Sequence, residues 1–346
     1  MWLVSPSGRA GAPAATQAST FRFYEARRSV VRAVQGVASV ITNRVPFQCL
    51  LTAPYDWRGA IARAQRDAKS FDATVVVLAR LHPWIRESVN DKSVLDAVDS
   101  LRRNAHERMK AATPISRWLW RDEESRMACV EDDAGKTYGR IVVVSDEESF
   151  GDSISITTGI MAAPLNGQPR ASDFGFWGRL PYFANADAAQ WLVDEIWPAI
   201  RARKPNATMV IGGAGASRAL RDAAARAGIT IVSPVDDMAS FARSIRVALM
   251  PVRFGSGQST KVVEAAEAGC AIVGTTQAFR GLAPLAAHAR IEHDAESLAR
   301  AAVALLDDDN ARRSMSTRLR DVVEREYARE STLERFAAIA GLGGAQ

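Results

Sequence analysis

Short apolar runs separated by longer segments with helical spacing restrict the fold of this chain more than any other feature. The run "ATVVVLARL" at 73–81 is apolar without alternation, which is typical of a strand buried on both faces. "GRIVVVSDEE" at 139–148 and "VALMPV" at 247–252 repeat the pattern, whereas "YDWRGAIARAQRDAKSF" at 55–71 has helical spacing. This alternation predicts an α/β protein built on parallel sheets.

Two domains are expected, because the alternation occurs twice. The chain has 346 residues, which is long for a single core, and the stretch at 151–175 is rich in Gly, Pro, Ser and Asn without periodicity, which predicts a linker. We therefore expect one Rossmann-like domain at 1–160, a second at 174–326 and a helical tail at 327–346. Two such domains facing each other predict a ligand cleft between them.

Composition narrows the classes of partner. Lys and Arg number 44 against 39 Asp and Glu, and the net charge of +5 mildly favours anionic ligands or an anionic membrane face. The basic residues are scattered without an aromatic-rich pattern, so nucleic acid is not an expected partner. Cys49, Cys129 and Cys270 are far apart, which predicts neither a disulfide framework nor a zinc site and favours a reducing cytoplasm. No apolar run is long enough to span a membrane.

The segment "PVRFGSGQSTKVVEAAEAG" at 251–269 carries the clearest chemical signal. A loop between a buried strand and a helix lies at the carboxyl edge of a parallel sheet, where glycines allow close approach and helix-start amides favour phosphate. Lys261 adds a positive charge within reach of a diphosphate, and Glu264, one turn on, is placed to accept hydrogen bonds from sugar hydroxyls. The loop residues expected to contact such a nucleotide are Gly255, Ser256, Gly257, Ser259 and Thr260.

The same residues allow other interpretations of this segment. The lysine of "GSGQSTK" comes after the Ser and Thr, and no G-x-G-x-x-G spacing is present, which disfavours a P-loop NTPase or a dinucleotide enzyme. The plain alternative is a glycine turn ahead of an amphipathic helix, with Lys261 as a solvated residue and Glu264 as a first-turn charge favoured by the helix dipole.

The second half resembles the nucleotide-sugar-binding domain of retaining GT-B glycosyltransferases of family 4, also called glycosyl transferases group 1. The resemblance rests on an ordered series of motifs over residues 174–335, which includes "FWGRLPYFANADAAQWLVDEIWPAI", "MVIGG", "GITIVSPVDDM" and the segment at 251–269. It implies a GT-B fold and transfer of a sugar from a nucleotide diphosphate donor to a hydroxyl acceptor. It also implies a metal-independent front-face mechanism without cofactor, in which the leaving phosphate accepts the acceptor's proton.

The resemblance also assigns residues in the donor loop. In the family's Glu-x7-Glu motif the second Glu, which binds ribose, matches Glu264, whereas the first falls at Ser256. The loop fits a branch with the pattern G-x-G-x-x-x-K-V-x-E. The base-binding loop would be 234–237, around Val235.

The diphosphate clamp departs from the family pattern. Arg179 follows Gly178 as in the family, but Ala184 and Asn185 stand where a lysine is expected, so Lys261 is expected to supply that charge. The alternative for Arg179 is a surface residue at a strand end.

The first half resembles the acceptor domain of the same branch. The usual first strand and glycine-rich turn are not recognisable before "MWLVSPSG", so we expect this domain to lack its first strand–loop–helix. His82 and Asp99 are the candidates on the acceptor side, although Asp99 is equally placed to be a helix N-cap.

These features predict a retaining, metal-independent glycosyltransferase in polysaccharide or glycoconjugate biosynthesis. Its acceptor would be lipid-linked or a polysaccharide, and the protein would be cytoplasmic with peripheral contact at the inner membrane face. Two alternatives stay open: an inactive nucleotide-sugar-binding protein, and a sugar-nucleotide epimerase or hydrolase of the same architecture.

Overall fold

The computed structural model describes residues 2–6, 22–42, 45–68, 71, 73–165 and 170–342. The chain forms two compact units. One comprises Met1–Ile156 together with Glu334–Gln346, and the other comprises Thr157–Leu333. We call them the N-terminal unit and the C-terminal unit.

The N-terminal unit contains two parallel sheets. A two-stranded sheet pairs β1 (Trp2–Pro6) with β2 (Arg22–Ala26). A four-stranded sheet has the order β3 (Thr74–Val77), β4 (Ser93–Val98), β5 (Arg140–Val143) and β6 (Ser153–Ser155). The strand β6 lies inside the segment predicted to be a linker. It was not expected because the segment lacks a long apolar run, but its backbone pairs with β5.

The helices of this unit lie around both sheets. They are α1 (Val30–Ile41), α2 (Trp57–Asp67), α3 (His82–Ile85), α4 (Leu101–Ala111) and α5 (Pro114–Thr137). Of these, α2 contacts β1 and β2. Pro114 is the first residue of α5, where the missing N–H of proline leaves no helical hydrogen bond unmade, so α4 and α5 are separate helices. Leu95, Met127 and Ile141 are buried between sheet and helices.

The C-terminal unit is built on a six-stranded parallel sheet. Its strands are β7 (Ser172–Trp177), β8 (Met209–Gly212), β9 (Thr230–Val232), β10 (Ile245–Met250), β11 (Ala271–Gly274) and β12 (Arg290–Ile291). Their order across the sheet is β12-β11-β10-β7-β8-β9. The chain therefore winds outward in both directions from the neighbouring strands β7 and β10. This is the doubly wound order, and ligands bind outside the carboxyl ends of the two strands where it reverses.

Helices flank the six strands. They are α6 (Phe183–Trp191), α7 (Trp197–Arg203), α8 (Arg218–Arg226), α9 (Met238–Arg243), α10 (Thr260–Glu267), α11 (Ala283–Ala286), α12 (Ala295–Asp307) and α13 (Asp309–Glu326). The last helix, α14 (Arg329–Ile339), begins in this unit, and its residues from Glu334 onward belong to the N-terminal unit. The acidic run "DDD" ends α12 and opens α13, where Asp308 caps the backbone N–H of Ala311. Among the residues described, no helix is long and apolar enough to cross a membrane.

Candidate functional site

The end of β7 and the start of α6 meet the helix that follows β10. Gly178 comes directly after β7, and a Cβ there would lie 2.7 Å from Asn185 Nδ2 and 3.3 Å from Lys261 Cε. The φ of Gly178 is 154°, in a region that side chains disfavour. Only glycine therefore allows the three segments to approach this closely, at the edge of the sheet where a ligand is expected.

Lys261 is held by a neutral partner. Its Nζ donates a hydrogen bond to Asn185 Oδ1 at 2.8 Å, and Asn185 Nδ2 donates in turn to the carbonyl of Arg179 at 2.9 Å. Asn185 is buried. Burial lowers the pKa of Lys261 to about 8, against the opposing attraction of Glu264. Asn185 is one of the two residues at which the resemblance led us to expect a lysine. Its side-chain amide positions Lys261, the residue expected to supply that charge instead.

Glu264 is oriented by a core residue. Its Oε2 accepts a hydrogen bond of 2.8 Å from Nε1 of Trp177, which is almost completely buried at the end of β7. The half-buried carboxylate lines a cavity of about 790 Å³, whose other walls include Met238, Ala239 and Glu267. The arrangement presents a fixed acceptor to a cavity with an apolar wall.

The start of α10 has unused hydrogen-bonding capacity. Its N-cap Ser259 makes no side-chain capping bond, and Ser259 Oγ is buried without a hydrogen-bond partner in the part of the chain that is described. The backbone amides of a first helical turn lack acceptors within the helix and carry the positive end of its dipole. Together they form a site suited to an anion, directly preceding Lys261.

The glycine loop before α10 is held by two glutamines that the sequence did not single out. Gln277 Nε2 donates to the carbonyl of Gly255 at 2.8 Å. Gln258 Nε2 donates to the carbonyl of Gly281 at 3.3 Å. Gly255 and Gly257 have φ values of 131° and 73°. The loop containing Ser256 and leading to Thr260 is therefore fixed in a shape that depends on glycine.

Arg179 and Val235 lie at the same sheet edge. Arg179 follows Gly178, is exposed, and its guanidinium has no hydrogen bond or ion pair with any described residue. Val235 lies in the loop after β9, which ends where Asp237 caps α9 by accepting from Ala239 N at 3.0 Å. Since Met238 opens α9 and lines the Glu264 cavity, this loop adjoins the carboxylate. The structure thus brings the donor-loop candidates together.

The acceptor-side candidates belong to the N-terminal unit. His82 is buried, with Nε2 2.9 Å from Asp133 Oδ2 and Nδ1 3.4 Å from the Tyr138 hydroxyl, and burial lowers its pKa. Asp99 follows β4, but the N-cap of α4 is Ser100, whose side chain accepts from Arg103 N at 3.1 Å. The N-cap alternative for Asp99 was therefore wrong by one residue, because the helix begins only at Leu101.

A cavity of about 600 Å³ lies in the N-terminal unit and was not expected from the sequence. Arg32 and Gln35 of α1 line it together with Tyr55 and Trp84. Trp84 lies in α3, and Tyr55 comes just before the start of α2, so the cavity lies among α1, α2 and α3. Tyr55, Trp57 and Arg58 stand together at the start of α2, and this grouping is the sequence signal that could have indicated the cavity.

Comparisons with known proteins bear on the family and on the fold. Residues 171–308 match the model of the family described as glycosyl transferases group 1. Sucrose-phosphate synthase from Thermosynechococcus elongatus is similar in structure, with a TM-score of 0.64, 13% identity and coverage of 80% of this chain and 75% of that one. A UDP-forming trehalose-phosphate synthase from Burkholderia xenovorans has a TM-score of 0.66 and 12% identity, covering 99% of this chain and 94% of that one.

TarM from S. aureus, solved in a complex that includes UDP, is similar with a TM-score of 0.64 and 10% identity. The match covers 81% of this chain but only 58% of TarM. Among curated proteins, none matches the chain. The structural similarities confirm the two-domain α/β fold of the GT-B type, and the family match lies on the unit that holds Lys261 and Glu264.

Proposed function

We propose that the protein is a glycosyltransferase whose nucleotide diphosphate sugar binds at the start of α10. The observation that carries this proposal is that one helix, α10, holds both a cationic group suited to the diphosphate and a carboxylate suited to the ribose. Lys261 and Glu264 lie on successive turns, one held by Asn185 and the other by Trp177, at the point where the sheet order reverses. The match of residues 171–308 to the glycosyl transferases group 1 supports the class of reaction.

Each donor contact has a physical basis. The amides at Thr260 and Lys261 and the unpartnered Ser259 hydroxyl would bind the diphosphate, with Lys261 and Arg179 supplying positive charge. The Glu264 carboxylate would accept hydrogen bonds from the ribose, and the loop around Val235 would meet the base. Ser256 stands where the family's first glutamate is expected, so the transferred sugar would meet a hydroxyl instead of a carboxylate.

Catalysis would follow from charge stabilisation at the leaving group. Negative charge grows on the departing diphosphate, and fixed cationic groups and amides stabilise it without reorganising during the reaction. We propose that Lys261, Arg179 and the α10 amides supply this stabilisation, so that transfer is metal-independent. We further propose that it proceeds with retention, the leaving phosphate accepting the proton of the acceptor hydroxyl.

The acceptor would bind to the N-terminal unit. Its cavity presents Arg32 and Gln35 beside Tyr55 and Trp84, which suits a hydroxyl-bearing molecule with an anionic group. A lipid-linked or polysaccharide acceptor, on the cytoplasmic side of a membrane, is the class we propose. His82 and Asp99 remain proposals for this side.

Release of free nucleotide diphosphate tests the proposal and separates the alternatives. UDP sugars are the first donors to try, because UDP is named with both TarM and the trehalose-phosphate synthase from Burkholderia xenovorans. Release that requires an added hydroxyl acceptor is expected for a transferase. Release without acceptor would indicate a hydrolase, interconversion of the donor sugar would indicate an epimerase, and tight donor binding without release would indicate a binding protein.

A further inference from the structure

Helix α1 turns its apolar face outward. Val30, Val34, Val37 and Ile41 are spaced by four, three and four residues, which places them on one face. Val30 is 81% exposed, Val34 63% and Ile41 74%. The buried side is small instead: a Cβ at Gly36 would lie 2.5 Å from Ala53 Cβ. The helix therefore packs through glycine and leaves its branched side chains in contact with solvent.

The start of α5 adds a second exposed apolar group. Ile115 is 83% exposed and Trp118 63%. Farther along α5, eight residues beyond Trp118, Arg126 Nη1 donates to the carbonyl of Val40 near the end of α1 at 2.8 Å. Two neighbouring helices of one unit thus expose large apolar side chains, which in a folded protein marks an interaction surface.

Arginine is concentrated around this surface, although Arg32 lies 3.8 Å from a carboxylate oxygen of Asp56 and acidic residues follow the start of α5 from Asp122 onward. The sequence has no Asp or Glu between Glu25 and Asp56, but it carries Arg27, Arg28 and Arg32 at and before the start of α1. The opening of α5, "PISRWLWR", likewise contains two arginines and no acid. Apolar side chains flanked by arginine, with an aromatic residue among them, are typical of helices that lie in a membrane interface.

We infer that α1 and the start of α5 dock in the surface of an anionic bilayer. A second copy of the chain is a poorer occupant, because a symmetric interface would bring the same arginines face to face. Anionic lipid headgroups instead complement them while the acyl region takes the valines and Ile41. The inference is independent of the donor site. One consequence does rest on the proposed function. Since Arg32 and Gln35 of α1 line the proposed acceptor cavity, docking of α1 would place that cavity at the lipid surface.

Vesicle sedimentation tests the inference directly. The full chain is mixed with vesicles of phosphatidylcholine alone or of equal parts phosphatidylcholine and phosphatidylglycerol. Binding is expected only to the mixed vesicles, with a loss of about fivefold for each arginine removed in Arg27→Gln and Arg28→Gln. The double variant Val34→Glu, Val37→Glu should abolish binding, whereas Leu333→Glu, an exposed leucine outside the surface, should bind like the wild type.

Two results would overturn it. One is failure of the wild type to bind mixed vesicles, or equal binding by the Val34→Glu, Val37→Glu variant. The other is a stable dimer that the same double substitution dissociates, which would assign the face to a second copy. Thermal melting establishes that the variant is folded, and UDP affinity measured in the same samples keeps failure of the donor site separate.

Discussion

Lys261 Nζ and Asn185 Oδ1 are joined by a hydrogen bond of 2.8 Å between the helix after β10 and the helix after β7. The amide fixes the ammonium group without neutralising it, whereas a carboxylate at the same position would do both. The lysine is thus oriented and still carries charge for a ligand.

Asn185→Asp should weaken nucleotide diphosphate binding more than Asn185→Ala does. The aspartate would keep the shape of the side chain but add a negative charge beside Lys261, which would compete with the diphosphate. Calorimetry with UDP and with uridine measures the effect, and uridine affinity should change little. Asn206→Asp, an exposed change before β8 at the opposite sheet edge, is the control for charge alone. Equal losses in all three variants would contradict this role.

Diphosphate affinity should fall as pH rises through about 8, because burial lowers the pKa of Lys261 to about 8 and its charge is lost above that value. The bound diphosphate will raise this pKa, so the midpoint in the complex will be higher. Lys261→Met should bind UDP weakly without this pH dependence. Arg179→Ala should weaken UDP binding but keep the dependence, and both losses should shrink as salt rises. Equal losses of UDP and uridine would mean that the two residues support the fold instead.

Glu264→Ala should weaken UDP binding by roughly 1.5–3 kcal/mol, the range for a hydrogen bond to a charged group. The loss should be smaller with 2′,3′-dideoxy-UDP, because that ligand lacks the ribose hydroxyls. Calorimetry on both ligands gives the comparison. An unchanged affinity in a folded variant would exclude a ribose contact.

Trp177→Phe should reduce UDP affinity by about 1 kcal/mol through loss of the indole N–H that orients Glu264. Phenylalanine keeps most of the apolar volume but leaves a cavity, so the melting temperature should also fall. A double-mutant cycle with Glu264→Ala separates the two effects. If the bond acts through Glu264, the affinity losses will not add.

Gly178→Ala should abolish tight UDP binding, because its Cβ would meet Asn185 Nδ2 at 2.7 Å and Lys261 Cε at 3.3 Å. Gly228→Ala is the matched control. Its φ of 70° makes the substitution strained, but a Cβ there has no atom within 4 Å. It should lower stability by about 1–2 kcal/mol and leave UDP affinity unchanged. Similar binding in the two alanine variants would refute the steric role of Gly178.

The sequence indicated those candidate-site residues that are close together in the chain, and their roles stay predictions. Glycines, Lys261 and Glu264 fall within one strand–loop–helix segment, so spacing and local helix geometry were enough. The roles of Asn185 and Trp177 were not predictable in this way, because they depend on β7 lying beside β10 in the sheet. Trp177 is buried in the core, but which carboxylate its indole meets is a property of tertiary structure.

The exposed face of α1 shows a different limit. The periodicity of its valines predicts a helix with one apolar face, and ordinarily that face would be buried. The opposite face of α1, at Gly36, packs against Ala53 instead. Which face of the helix is buried therefore depends on the shape of the neighbouring segment, which the periodicity does not contain. Ser100 in place of Asp99 as the cap of α4 is a smaller case, in which two adjacent capping residues compete for one helix start.

The strand order of the C-terminal unit has a consequence for how the protein acquires its site. β8 and β9 are made before β10, yet β10 must pair with β7 before Lys261 can reach Asn185. A folding intermediate with only β7, β8 and β9 in place would contain Trp177 and Asn185 in position but would not bind nucleotide, because Lys261 and Glu264 follow β10 in the chain. Nucleotide should therefore bind only after β10 joins β7, and it should stabilise that last assembled form by mass action, not its precursors.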